Sequence, residues 1–246
     1  MSLRRILAVA ARVLLQMVRD WRTLLLIMVV PCALMALLWW VYRDAFGGTM
    51  FDRIGPDLLA IFPFMTMFLV ASVTTLHERA SGTLERLLAM PMGRLDFLLG
   101  YGLAFCALSA VQSALSVATT VGLLNLDFAG PLPLLVLIAI VDAVVGAALG
   151  LFVSAFASTE FQAVQFMPAI VVPQILLCGL LTSRDSLPGF LHGVSDVLPL
   201  TYAVDAMKHV STSTAQGHVW LDMLIVAAYA LGLLALGAAT LRRRTP

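Results

Sequence analysis

Apolar residues along this chain gather into six blocks, 23–41, 57–76, 95–124, 132–157, 161–181 and 219–241. Each is close to the length of about 20 residues at which a helix crosses a hydrocarbon layer. The blocks are separated by short polar stretches and by Gly or Pro, so each predicts one membrane-spanning helix. Ahead of the first block the period changes. Within 1–22, Leu3, Ile6, Leu7, Ala10, Val13, Leu14, Met17 and Trp21 share one face of a helix, and Arg5, Arg12 and Arg19 stripe the other. That pattern suits a helix in the headgroup layer, apolar side in the acyl chains and guanidinium groups among phosphates. A plain juxtamembrane helix on the cytoplasmic side is the alternative.

Composition narrows the class further. Hydrophobic residues make up 61% of the 246 and charged residues 12%, with mean hydropathy +0.99, against roughly half and a quarter in soluble domains. A water-soluble fold is excluded. The net charge of +1 gives no electrostatic reason to expect nucleic acid. Cys32, Cys106 and Cys178 each lie inside an apolar run and read as small hydrophobes. The basic start resembles a signal peptide, but the run after it is long enough to span, so the first span is read as retained.

An even number of spans returns both ends of the chain to one side. Arg4, Arg5, Arg12, Arg19, Arg22, Arg79, Arg86, Arg94, Arg242, Arg243 and Arg244 fall on one side, and only Arg43, Arg53, Arg184 and Lys208 on the other. By the positive-inside rule both termini are cytoplasmic. Segment 77–94 is then a cytoplasmic loop, and 182–218 is an external loop. Leu187, Phe190, Leu191, Val194, Val197 and Leu198 there, with Pro188 and Pro199, predict short helices dipping into the outer leaflet.

Candidate chemistry is sparse. A phosphate-binding loop needs a lysine after glycines and then a hydroxyl, but the only lysine, Lys208, lies between Met207 and His209. The chain therefore carries no ordinary P-loop. His77-Glu78 begins like a zinc-protease helix and lacks the second histidine one turn on. Ser109, Ser154, His192 and His218 leave an intramembrane hydrolase as an alternative of another class, without a nucleophile-elbow spacing to support it. The loop string from Glu78 to Pro91 reads as a short helix between breakers, with Leu84, Leu87 and Leu88 on one face. Such a stripe fits either a partner's groove or the protein's own bundle.

Two strings resemble a known family. Glu78-Arg79, then Gly82-Thr83-Leu84-Glu85, then Pro91, between the second and third spans, resembles the cytoplasmic coupling segment of ABC-2 type transporter permeases. Pro199-Leu200-Thr201-Tyr202-Ala203-Val204-Asp205-Ala206-Met207-Lys208, before the last span, resembles a second recurring pattern of that family. The resemblance implies a permease that dimerises, with itself or a paralogue, and binds two ABC ATPase subunits on its cytoplasmic side. The helix bearing Arg5, Arg12 and Arg19 and the coupling helix would make the contact. Glu78, Arg79, Gly82, Thr83, Leu84, Glu85, Leu87, Leu88 and Pro91 would transmit the ATPase movement. No cofactor is expected on this chain, since ATP and Mg would sit on the partner, and no catalytic or metal-ligating residue is expected.

Within the spans, Asp142 stands alone in the fourth. A charge there costs about 2.5 to 3.5 kcal/mol on insertion scales, so it should be neutral, paired or facing a cavity. Gly146 and Gly150 have GxxxG spacing, which permits close helix approach within the chain, the favoured use, or between two copies. Pro168 and Pro173 should kink or break the fifth span. Asp142, Pro168, Pro173, Tyr202 and Asp205 are the candidate translocation-pathway residues. The expected fold is thus an all-α membrane protein of one ABC-2 type domain over 1–246. It comprises six transmembrane helices, an interfacial N-terminal helix, a coupling helix and external re-entrant helices. The expected function is ATP-driven export of an amphiphilic drug, antibiotic or lipid across a bacterial inner membrane, with lipid-linked glycan export as the second reading.

Overall fold

The computed structural model describes residues 2–44, 49–81, 94–212 and 217–240. Every regular element over these residues is a helix. Six of its helices are long and apolar enough to cross a membrane, so it is a multi-pass membrane protein.

The amphipathic segment forms α1, Leu3–Arg19, and the six long helices follow it. They are α2, Trp21–Tyr42; α3, Met50–Ala80; α4, Arg94–Gly122; α5, Leu132–Val153; α6, Glu160–Leu177; and, last in the chain, α9, Gly217–Thr240. Between α6 and α9 lie a short 3-10 turn, Arg184–Ser186, and the helices α7, Gly189–Ser195, and α8, Pro199–Thr212.

Local chemistry sets several ends. Asp20 caps α2 by accepting from the Thr23 amide at 3.3 Å. Thr159 caps α6 from the Gln162 amide at 3.2 Å, while the Gln162 side chain returns to the Ser158 amide. The fourth span ends at Val153 and the fifth at Leu177, each four residues before the apolar block does. At the second of these, Gly179 takes a left-handed φ of 93°, a conformation open to glycine and one that stops a helix. Pro168 and Pro173 do not divide α6, which continues through both. Both prolines lie on its exposed side.

The spans divide into an inner and an outer set. Two-thirds of the most apolar stretch of α3 and of α5 is buried, against 17% for α2 and α6. Composition alone hides this, because α2 and α5 are almost equally apolar. The inner pair owes its contact to Gly146 and Gly150. A Cβ at these positions would lie 2.3 Å from the Phe64 carbonyl oxygen and 2.2 Å from that of Phe68. Backbone meets backbone, and the GxxxG spacing serves packing within the chain.

The amphipathic helix also packs differently from a helix floating among lipids. Val9, Ala10, Val13 and Met17 are buried in one cluster with Phe97, Tyr101 and Ala104 of α4. Leu3 and Leu7 of the same face remain exposed. Its apolar face is therefore shared between the bundle and the surroundings.

Candidate functional site

Long-range polar contacts collect at the two ends of the bundle and identify which helix ends lie together. At one end the Ser2 amide donates to Asp96 Oδ1 at 3.2 Å, joining the start of α1 to the start of α4. Arg12 Nη2 donates to Glu78 Oε1 at 2.9 Å, joining the middle of α1 to the last turn of α3. His77 Nδ1 lies 2.9 Å from Glu160 Oε1 at the start of α6. Alternate helices thus begin and end on this side, as an up-and-down bundle requires.

Arg12 is the member of the arginine stripe turned inward. Arg5 and Arg19 are exposed, whereas Arg12 meets Glu78, whose side chain is 2% exposed. A glutamate this deep needs a counter-ion, because desolvation of an unpaired carboxylate costs several kcal/mol. Arg12 supplies one oxygen's worth. Arg12 Nη1, Glu78 Oε2 and Arg79 Nε are buried without hydrogen-bond partners. The remaining coupling residues, Gly82, Thr83, Leu84, Glu85, Leu87, Leu88 and Pro91, lie outside the described residues.

In the bundle's middle, Asp142 is fully buried on α5, and neither carboxyl oxygen has a partner. The neighbouring α4 carries a polar stripe of which the sequence pointed only to Ser109. Ser109, Gln112, Ser113, Ser116 and Thr120 are all buried there, at spacings that return to one helix face. Their hydroxyl pattern inside an apolar run was the available signal. Ser113 Oγ donates across to the Ala139 carbonyl on α5 at 3.1 Å, and Ser116 Oγ lies 4.0 Å from Cys32 Sγ on α2. Ser109 Oγ and Gln112 Oε1 are buried without partners. The hydrolase alternative gains nothing from this geometry, since Ser109 Oγ is unpartnered and Ser154 Oγ donates to the Leu151 carbonyl.

At the opposite end the short helices fold onto the bundle. α8 buries Leu200, Ala203, Val204 and Met207. The Ala129 and Gly130 amides between α4 and α5 donate to the Ser211 and Val210 carbonyls of α8 at 3.0 and 2.9 Å. A Cβ on Gly130 would lie 2.6 Å from the Val210 carbonyl oxygen, so this approach needs glycine. Arg184 bonds both Asp196 and Asp205 and donates from Nε to Ser195 Oγ at 3.2 Å. Tyr202 donates its hydroxyl to the Asp196 carbonyl at 2.6 Å; burial and the neighbouring Tyr229 push its pKa up. Lys208 Nζ donates to the Gly179 carbonyl at 2.7 Å and lies 3.3 Å from Asp57 Oδ2. A cavity of about 860 Å³ opens among α3, α8 and the 3-10 turn, with Asp57, Asp205 and Lys208 in its wall. Of the candidate pathway residues only Asp205 lines it. Asp57, Arg184 and Lys208 were not singled out from the sequence as a group; their partners are remote in the chain.

Residues 4–210 match the family model for the ABC-2 type transporter. The chain is 26% identical over 196 residues to ABC transporter G family member 20 of Dictyostelium discoideum, covering 78% of this chain and 27% of that one. It is 24% identical over 155 residues to the probable multidrug ABC transporter permease YbhR of Escherichia coli K12, covering 63% and 42%. It is 26% identical over 157 residues to the linearmycin resistance permease protein LnrN of Bacillus subtilis, covering 63% and 40%. The matched region is thus 27 to 42% of the length of these relatives. With the matched model spanning most of the bundle, from α1 through α8, the chain belongs to the ABC-2 type transporter family, a family of transporter permeases.

Proposed function

We propose that this chain is the membrane-spanning subunit of an ATP-binding cassette exporter that moves an amphiphilic small molecule, a drug, antibiotic or lipid, out of a bacterial cell. ATP is hydrolysed by separate partner subunits, two per assembly, and a second permease copy or paralogue completes the pathway. The arginine-rich end, with both termini, faces the cytoplasm of a cell whose inner membrane holds the protein.

The observation that carries this reading is the Arg12–Glu78 pair. It ties the N-terminal helix to the last turn of α3, at the residue that opens the string resembling the coupling segment. A push on that loop is then felt by α1 and α3 together, and α3 packs on α5 through glycines that leave no slack. Rigid packing of this kind turns a local displacement into movement of whole spans. Multidrug and resistance permeases among the relatives support the substrate class.

The test is detergent pull-down of the tagged chain from its native membrane, with and without Leu84→Asp plus Leu87→Asp. An ABC ATPase should co-purify with the parent and be lost from the double variant. A correctly inserted parent that carries no ATPase would overturn the proposal.

A further inference from the structure

The charge cluster opposite the arginine-rich end holds more acceptor capacity than its cations use. Asp57 is 2% exposed and lines the 860 Å³ cavity. Its Oδ2 faces Lys208, and its Oδ1 is buried without any partner. Lys208 divides its ammonium between this carboxylate and the Gly179 carbonyl. Asp205 is bonded to Arg184 and has no share in Lys208. Among the lining residues Asp52, Asp57, Asp185 and Asp205 outnumber three permanent cations. Ile54, Pro56, Leu180 and Leu181 add apolar wall. The volume falls within the range of small-molecule sites, roughly 300 to 1,000 Å³.

A buried carboxylate needs a charge-assisted N–H donor, and the donor Asp57 has at Oδ2 is one that Lys208 shares with the Gly179 carbonyl. Lys208, in the wall of this pocket, sits on a flexible four-carbon stem with its side chain 36% exposed. It can leave and return. We propose that the cavity binds the ammonium group of a cationic amphiphile, with the Asp57 carboxylate as anchor and Lys208 as the tethered cation that the ligand displaces. The alkyl chain lies along Ile54, Pro56, Leu180 and Leu181. A tethered competitor acts at an effective concentration on the order of millimolar. It therefore keeps binding weak and expels the ligand when Lys208 returns, which suits a site on the discharge side. This inference rests on the export reading and on its orientation, and names the substrate class.

The experiment uses the purified chain in phosphatidylcholine nanodiscs. Binding of radiolabelled octylammonium is compared with that of octyltrimethylammonium, which carries the charge without an N–H. The parent should prefer octylammonium, Asp57→Asn should lose that preference, and Lys208→Gln should bind octylammonium at least about tenfold more tightly. Equal binding of both probes, or no tightening in a folded Lys208→Gln chain, overturns the proposal. A second measurement needs no variant, because Lys208 is the only lysine. Dimethyloctylammonium, which keeps one N–H and as a tertiary amine forms no stable amide with the reagent, should speed acylation of Lys208 by N-hydroxysulfosuccinimidyl acetate, read by peptide mass spectrometry. An unchanged or slower rate overturns displacement. A chain that recruits an ATPase and fails these tests keeps the export reading and loses this one.

Discussion

The guanidinium of Arg12 lies 2.9 Å from the carboxylate of Glu78, 66 residues away in sequence, and joins an amphipathic helix to the end of a membrane span. Only one member is deeply buried, so removing the other strands a charge. Arg12→Ala should destabilise the α1–α3 contact by about 3 kcal/mol, and Arg12→Ala with Glu78→Gln should recover most of that loss. Thermal unfolding in detergent, with ATPase co-purification beside it, checks both. Additive losses in the double variant would show that the pair is not coupled.

Gly146 and Gly150 should tolerate nothing larger than hydrogen. Alanine at either would press on a carbonyl oxygen of α3 and should cost about 1 to 3 kcal/mol. Gly232→Ala, where an added Cβ meets nothing within 4 Å, should be neutral or slightly stabilising. The midpoints of the three variants, measured side by side, separate packing from helix propensity.

Asp142→Asn keeps shape and hydrogen-bonding groups while removing any charge from a fully buried position. Membrane insertion and unfolding midpoint should stay level or rise, and Asp142→Arg should abolish insertion, at a cost of about 2.5 kcal/mol or more. Export by the folded Asp142→Asn chain then measures whether the group serves the pathway: a loss places it there, and retained export makes it structural.

Hydrogen bonds from the Thr23 side chain and amide hold the Asp20 carboxyl below the usual carboxylate range. A depressed folded-state pKa means that the cap's contribution is complete above the unfolded value and is lost as pH falls through the folded one. Protection of the Thr23 amide against hydrogen exchange should therefore weaken on going from about pH 6 to about pH 3. In Asp20→Asn it should show no such step.

Much of the scaffold was legible before any coordinates. The six spans follow from runs of apolar residues, because in a bilayer each segment must satisfy its own backbone and is identified by length and hydropathy alone. Their ends were less legible where apolarity outlasts the helix, as at Leu177, since a left-handed glycine rather than a polar residue stops it. The site was legible in one direction only. Asp142 stands out as a charge inside an apolar run and Glu78 as the start of a recognisable string, whereas the α4 hydroxyl stripe is made of residues too common in membrane helices to attract notice.

By itself the sequence determined the class, the number of spans, the amphipathic first helix and, through arginine distribution, which ends share a side. These are local or one-dimensional properties, read from hydropathy, period and charge. Only the tertiary structure decided which helices are central, that Arg12 alone of its stripe turns inward, and that Asp57 meets Lys208 across 150 residues of chain. The physical reason is that apolarity does not track burial: α2 is almost as apolar as the central α5, and α6, the least apolar span, is as little buried as α2, so hydropathy cannot rank them. A charge's partner is set by how the helices pack, and spacing along the chain holds no record of that.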